Sequence, residues 1–322
     1  MAPGGGFAPS TEPDTLLQDT AKARLAYRMA ARSHASKELP ARSTAWRSRL
    51  PGLISPLCLL AFLSFAPLAA TAQGGPPLLT DDPGTPGRNN WEINLGYTVD
   101  RQPSDNYYET PILDMNYGWG DRVQLKYEMP YVYNSTGNGP LVSGPGDSKF
   151  GVKIRFFQDE KLDLNIGTYP QLEINNTQNS VRRNLVYKGP LFLLPVEITK
   201  KVGPIDVDLE VGRWFTQQKS YWISGLAFGH QATKRLEVLT EVYTNGTPDG
   251  ERDNTFDFGG RYRLSRNATF IFMAGRSFSP PSSGQSQFIG YFGMQFQLGR
   301  HLREDEESEP HHADAPGLGI KR

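Results

Sequence analysis

The chain has 322 residues, with 34 basic and 34 acidic side chains and so no formal net charge. That balance gives no basic excess for nucleic acid or for an anionic membrane surface, and a mean hydropathy of −0.50 excludes a bundle of apolar membrane helices. It does not exclude a transmembrane barrel, whose strands alternate apolar and polar residues and average out as hydrophilic.

Residues 1–49 are rich in Ala, Arg, Ser, Pro and Gly and show no sustained apolar period. An apolar run from Leu57 to Ala66 follows, too short to span a bilayer as a helix. Arg47 and Arg49 precede it, and Ala70-Thr71-Ala72 supplies small residues at the −3 and −1 positions of a cleavage site. Together these predict a secretory signal cut between Ala72 and Gln73. The competing reading, a short buried helix, is opposed by Pro51, Pro56 and Pro67. The signal begins late in the chain, so both Met1 and Met29 stand as candidate starts. The only cysteine, Cys58, lies inside the signal. The mature chain then has no disulfide and no cysteine metal site.

Residues 73–90 carry Pro76, Pro77, Pro83 and Pro86 and cannot form a strand before Trp91. From Trp91 onward, segments of about ten residues alternate apolar and polar, the period-two signature of strands with one greasy face. The first sets Trp91, Ile93, Leu95, Tyr97 and Val99 against Glu92, Asn94, Gly96 and Thr98. Equally clear are 123–133, 149–156, 162–167, 205–212, 255–262 and 287–298; weaker ones are 108–117, 190–200, 220–230, 236–243 and 268–278. Twelve is an even count, which returns both termini to one side. Short connections (118–122, 158–161, 201–204, 231–235, 263–267) alternate with mostly longer polar ones (134–147, 175–189, 244–253, 279–286), with 216–219 a short exception. The expected fold is an all-β, antiparallel transmembrane barrel over 91–299, with short periplasmic turns, longer extracellular loops and both termini periplasmic. Asn134 to Asp147, with four glycines and two prolines, reads as a flexible loop. Aromatic residues near strand ends (Trp91, Tyr97, Tyr117, Trp119, Tyr127, Tyr131, Tyr133, Tyr243, Tyr262) suit interfacial girdles. A soluble sandwich or periplasmic barrel also alternates and stands as the alternative.

On this register Phe150, Val152, Ile154, Leu164, Val207, Leu209, Phe256, Phe258, Phe292 and Phe296 face lipid. The interior receives Glu92, Asp114, Lys126, Glu128, Lys149, Lys153, Arg155, Asp163, Glu173, Asp206, Asp208, Glu210, Glu237, Glu241, Asp257 and Arg261. These read either as a polar channel wall or as paired charges packing a closed lumen. Twelve strands lie between a filled eight-stranded barrel and a wide porin, so a narrow pore is expected. The segment 73–90 is the candidate plug, with Asp81 and Asp82 meeting the row Lys149, Lys153 and Arg155.

Leu79-Thr80-Asp81-Asp82-Pro83-Gly84-Thr85-Pro86-Gly87 followed by Trp91-Glu92-Ile93-Asn94-Leu95 resembles the start of the meta-pathway phenol-degradation or "transporter" family of outer-membrane β-barrels. Asn116-Tyr117-Gly118-Trp119-Gly120-Asp121-Arg122 and Gly146-Asp147-Ser148-Lys149-Phe150-Gly151 are similar too, and the likeness covers roughly residues 78–299. The resemblance implies passage of small hydrophobic or aromatic compounds across the outer membrane. The chain departs from it in continuing past Leu298 as a polar tail, 300–322, that cannot bury enough to fold alone.

Catalysis finds little support. The barrel itself holds one histidine, His230, beside a short turn, so a Ser-His-Asp hydrolase has no well-placed base. His311-His312 with Asp305, Glu306, Glu307 and Asp314 reads as a solvated tail before it reads as a metal site. No catalytic residue, metal or cofactor is expected. The expected partners are outer-membrane lipid, a small solute and the barrel-assembly machinery, and not nucleic acid. A passive channel and a closed structural or surface-binding barrel remain the two readings.

Overall fold

The computed structural model describes residues 75–103, 105–136, 139–217, 220–247, 252–278 and 288–299. The signal with Ala70 and Ala72, and the tail from residue 300, lie outside these residues. Fourteen strands occur among the described residues. In chain order they are β1 (Trp91–Gln102), β2 (Asp105–Gly118), β3 (Val123–Thr136), β4 (Val142–Pro145), β5 (Asp147–Asp159), β6 (Leu164–Thr168) and β7 (Gln171–Asn175). After a short helix come β8 (Leu191–Val202), β9 (Ile205–Phe215), β10 (Tyr221–Gln231), β11 (Leu236–Gly246), β12 (Arg252–Arg263), β13 (Ala268–Ser277) and β14 (Phe288–Leu298).

The wall has twelve crossings, as alternation predicts. β6 and β7 are two halves of one crossing between β5 and β8, interrupted at Tyr169-Pro170. β4 is a short strand that folds back on β3, from Tyr131↔Pro145 to Asn134↔Val142. β1 pairs with β14 from Trp91↔Leu298 to Arg101↔Phe288, and this antiparallel ladder closes the sheet into a barrel. Closure leaves no free edge in the wall.

The two faces decide what kind of barrel this is. Inward side chains at Asn94, Glu197, Glu210 and Asp257 are fully buried, whereas Phe256 and Phe258 are 49% and 54% exposed on the outer face. Leu95, Phe150, Val152, Ile154, Leu209 and Phe292 are exposed there too. A soluble sandwich buries its apolar face and wets its polar one; this wall does the reverse. Among the described residues no helix is long and apolar enough to cross a membrane.

Three expectations need correction. Asp163 lies in the turn between β5 and β6, exposed and at φ +46°, and does not face the interior. Tyr243 is not a girdle residue: it points inward and is fully buried. Asn134 to Asp147 is no plain loop, since β3 extends into it as far as Thr136 and β4 pairs back on β3.

The connection after β7 also has structure of its own. It forms helix α1 (Gln178–Arg182), with Thr177 as N-cap accepting from the Asn179 backbone N–H at 3.2 Å. Ser180 Oγ donates to the Pro145 carbonyl at 2.8 Å, and Arg183 donates to the Ser143 carbonyl at 2.7 Å. Leu185 and Val186 then bury against Tyr107 and Val132, with Val142 and Val181 alongside. This connection therefore folds back over the β3–β4 hairpin at the long-loop end of the barrel.

In a bilayer, Phe292→Arg is expected to cost about 2–4 kcal/mol, the scale for a cation near the midplane of a barrel wall. A urea titration of the barrel refolded into vesicles measures it. No cost at Phe292 and at Phe258 alike would contradict a lipid-facing wall.

Candidate functional site: the barrel interior

The interior is occupied first by the chain's own N-terminal segment. It leaves β1 at the short-turn end, where the Asn89 N–H donates to the Gly118 carbonyl and the Gly118 N–H to the Asn90 carbonyl, both at 2.9 Å. Gly118 is required by close approach, because a Cβ there would lie 1.7 Å from the Gly87 carbonyl oxygen. Deeper in, Gly225 of β10 makes room for Thr80, whose Oγ1 would lie 2.0 Å from an added Cβ. The first described residues of the segment form a tight turn in which Gly75 N–H donates to the Thr80 carbonyl and Leu78 N–H to the Gly75 carbonyl, each at 2.9 Å.

Three successive backbone donors of this segment face barrel carboxylates. Leu79 N–H and Thr80 N–H reach the two oxygens of Glu241 at 2.6 and 2.8 Å, and Asp81 N–H reaches Glu210 at 3.0 Å. Charge-assisted bonds of this kind are the strong ones, about 1.5–3 kcal/mol each. The side chains bind elsewhere. Leu78 and Leu79 enter an apolar cluster with Tyr221, Ile223, Leu239, Met273 and Tyr291. Asp81 pairs with Lys153 at 2.9 Å, with Asp82 3.9 Å from the same ammonium. Arg261 donates to Glu237 at 3.1 Å and to the Pro76 carbonyl at 3.2 Å. Burial pushes the Asp82 carboxyl above its usual range; Lys153 opposes that rise and Asp81 adds to it.

Across from the segment, β2, β3, β5 and β7 carry a ladder of alternating charge. Lys126 lies 2.9 Å from Asp114 and 2.8 Å from Glu128; Lys149 lies 3.3 Å from Glu128 and 3.2 Å from Glu173. Asn94 and Asn116 both donate to Asp114 at 3.1 Å. A cavity of about 110 Å³ reaches from the long-loop end, past Val99, Tyr107, Ile289 and Tyr291, to this ladder. A second of about 30 Å³ lies toward the short turns, past Glu92, Asn116, Gln124 and Thr85. Pro76, Asp81, Asp114 and Lys126 line both. The two cavities thus lie off-axis, between the N-terminal segment and the wall that runs from β13 and β14 through β1 to β5.

Of the interior residues expected from sequence, Glu92, Asp114, Lys126, Glu128, Lys149, Lys153, Glu173, Asp206, Asp208, Glu210, Glu237, Glu241, Asp257 and Arg261 line the interior. Only Lys153 of the expected basic row meets Asp81 and Asp82. Lys149 is engaged by Glu128 and Glu173, and Arg155 sits at the rim, donating to the Asp121 carbonyl at 2.7 Å. Glu197 of β8, opposite Glu210 of β9, is an interior residue that alternation misses. The reason is local: Leu191 and Leu193 face the apolar cluster while Phe192 and Leu194 face out, so β8 is apolar on both sides. His230 lies at the short-turn end, its Nδ1 2.9 Å from the Pro204 carbonyl, away from the cavities.

No protein-family model and no curated protein matches the sequence. Solved structures do match the fold. An outer-membrane channel from Pseudomonas putida F1 superposes with a TM-score of 0.57 at 14% identity, covering 70% of this chain and all of that one. The NanC porin gives 0.47 at 8% identity, covering 65% of this chain and 100% of its own. The KdgM porin gives 0.45 at 11% identity, covering 63% and 98%.

Two substitutions test the seat of the N-terminal segment by protease protection of residues 75–90 in the folded barrel. Lys153→Met removes the cation from two buried carboxyls and is expected to cost about 3–5 kcal/mol, exposing the segment. Asp82→Asn is expected to do the opposite near neutral pH. A carboxyl whose pKa rises on seating favours the seated state below its ordinary value of 3.8, and that advantage is lost as pH climbs through the raised value. Neutralising it should therefore tighten the segment and flatten the pH dependence of protection. Unchanged protection in both variants would show that neither residue holds the segment.

Proposed function

We propose that the protein is a passive outer-membrane channel for small molecules, narrowed by its own N-terminal segment. The observation that carries this reading is the pair of cavities flanking that segment and sharing Asp114 and Lys126, inside a wall whose apolar face is outermost. Short turns and both termini then lie on the periplasmic side, as in single-chain bacterial barrels. Partners follow from that location: outer-membrane lipid around the wall, the assembly machinery during insertion, and a solute in the lumen.

The solute class is small and partly apolar. The larger cavity sets Val99, Ile112, Met273 and Ile289 against a charged ladder whose members neutralise one another. A solute with an apolar body loses little there, whereas a strongly hydrated ion must displace an existing pair. This agrees with the hydrophobic or aromatic cargo implied by the phenol-degradation family, to which we assign the chain by its Thr80-to-Gly87 and Trp91-to-Leu95 runs. The reading needs no catalysis.

A second reading, a closed barrel whose loops do the work, draws on the three backbone donors held by Glu241 and Glu210. Planar-bilayer recording separates the two. The channel reading expects small but resolved conductance in the unaltered protein. It expects larger conductance in Gly225→Val, whose side chain must displace Thr80. Liposome swelling with aromatic acids, sugars and alkanols then ranks solutes. Silence in both proteins, each shown to be folded by heat-modifiable gel migration, would favour the closed barrel.

A further inference from the structure

The outer wall carries a feature that passage through the lumen does not use. Arg213 of β9, Trp222 of β10, Gly246 of β11 and Arg252 of β12 stand in one row. The registers are Arg213↔Trp222, Trp222↔Gly246 and Gly246↔Arg252. The row lies at the long-loop end and on the outward parity, where Trp222 is 49% exposed. Gly246 has no side chain, and a dent of about 300 Å³ opens there, lined by Val211, Trp222, Ser224, Thr244 and Arg252.

The guanidinium of Arg213 stacks 5.2 Å from the Phe215 ring centre and 5.3 Å from that of Trp222, and its Nε is buried without a hydrogen-bond partner. Neither Arg213 nor Arg252 has an ion pair among the described residues. No Asp or Glu occupies an outward position on the neighbouring halves of β9 to β12. An unpaired cation on an apolar wall is costly unless an anion from its surroundings meets it. Aromatic stacking presents the planar fork of an arginine ready for phosphate.

We propose that this row binds a bisphosphorylated, acylated glycolipid of the outer leaflet. Its acyl chain would lie in the dent over Val211 and Trp222, and one phosphate would meet each arginine. Three strand spacings separate the arginines, about 14 Å. One phosphate cannot serve both across that distance, whereas a disaccharide phosphorylated at each end spans it. The inference rests on the membrane reading above and on the long loops facing outward.

The test is binding of purified full-length barrel in detergent to bisphosphorylated lipid A, dephosphorylated lipid A and phosphatidylglycerol, read by native mass spectrometry. Bisphosphorylated lipid A is expected to bind roughly tenfold more tightly than either competitor. Arg213→Gln with Arg252→Gln should remove that preference, a loss of roughly tenfold or about 1.4 kcal/mol. Arg213→Lys should retain part of it, and Arg263→Gln at the short-turn end should leave it unchanged. Equal binding by the double variant, or equal binding of phosphatidylglycerol, would overturn the site. Vesicle flotation guards the premise. Protein that floats with vesicles yet shows no preference overturns this site alone, and protein that stays in the aqueous fraction overturns the membrane reading beneath it.

Discussion

The pairing of β1 with β14 is the constraint on which the rest depends. A strand facing hydrocarbon has no water to satisfy its N–H and C=O groups, so every one must find a partner within the sheet. The ladder from Trp91↔Leu298 to Arg101↔Phe288 supplies the last set and abolishes the final edge. Once the sheet is closed, inward and outward are fixed for every residue by parity alone. A slip of one residue in any pairing would carry Glu210 or Asp257 to the lipid side and a phenylalanine into the lumen. The alternating sequence therefore specifies register as firmly as it specifies strand.

Closure at twelve crossings creates a second problem. Eight strands enclose just the space that side chains fill, and twelve enclose more. The chain fills the surplus with two devices of different chemistry. Along β2, β3, β5 and β7 it alternates Asp114, Lys126, Glu128, Lys149 and Glu173, so that each buried charge has an opposite neighbour. Along β9 to β12 it places carboxylates with few cations, and the backbone of the N-terminal segment answers them. Leu79, Thr80 and Asp81 present consecutive N–H groups, a concave donor surface that suits an anion. A strand in that position would have spent the same donors on a neighbouring strand. Prolines at 76, 77, 83 and 86 keep the segment out of the sheet.

Much of this was legible in the sequence, for physical reasons that also say where legibility stops. The twelve crossings, the outward face and most interior charges follow from period-two alternation, because polar-in and apolar-out is a one-bit pattern. The reading fails where the interior stops being polar. Leu191, Leu193, Tyr221, Ile223 and Tyr243 face inward as an apolar cluster, so alternation fades in 190–200 and hides Glu197, and Tyr243 has the sequence pattern of a girdle residue. It also fails where structure is built from loops. Leu185-Val186-Tyr187 is an apolar triplet inside a polar connection, and that was the signal that the connection folds back against the barrel. The inward glycines at 118 and 225 carried a signal as well. Gly in a strand interior marks a close backbone approach, and these two mark the course of the N-terminal segment. Charge alone suggests that Asp81 and Asp82 meet a basic row, and it cannot choose Lys153 over Lys149 or Arg155.

Anchoring a segment by its main chain has a consequence for how the lumen can vary. The bonds to Glu241 and Glu210 use N–H groups that every residue except proline provides, so positions 79 to 81 are free of side-chain demands in that respect. Specificity for the seat lies on the barrel side, in the two glutamates, in the missing Cβ of Gly225 and in the single ammonium of Lys153. The two cavities lie mostly along the opposite wall, although Ile112, Met273 and Tyr291 line the larger one and also pack in the apolar cluster that receives Leu78 and Leu79. Glu241 and Glu210, which hold the main chain, line neither cavity, whereas Lys153 of β5 both holds Asp81 and lines the smaller one. Substitutions at Asp114 or Lys126 change the lining of both cavities without touching the bonds to Glu241 and Glu210. Substitutions on β9 to β11 can loosen the segment without changing the residues that line the two cavities.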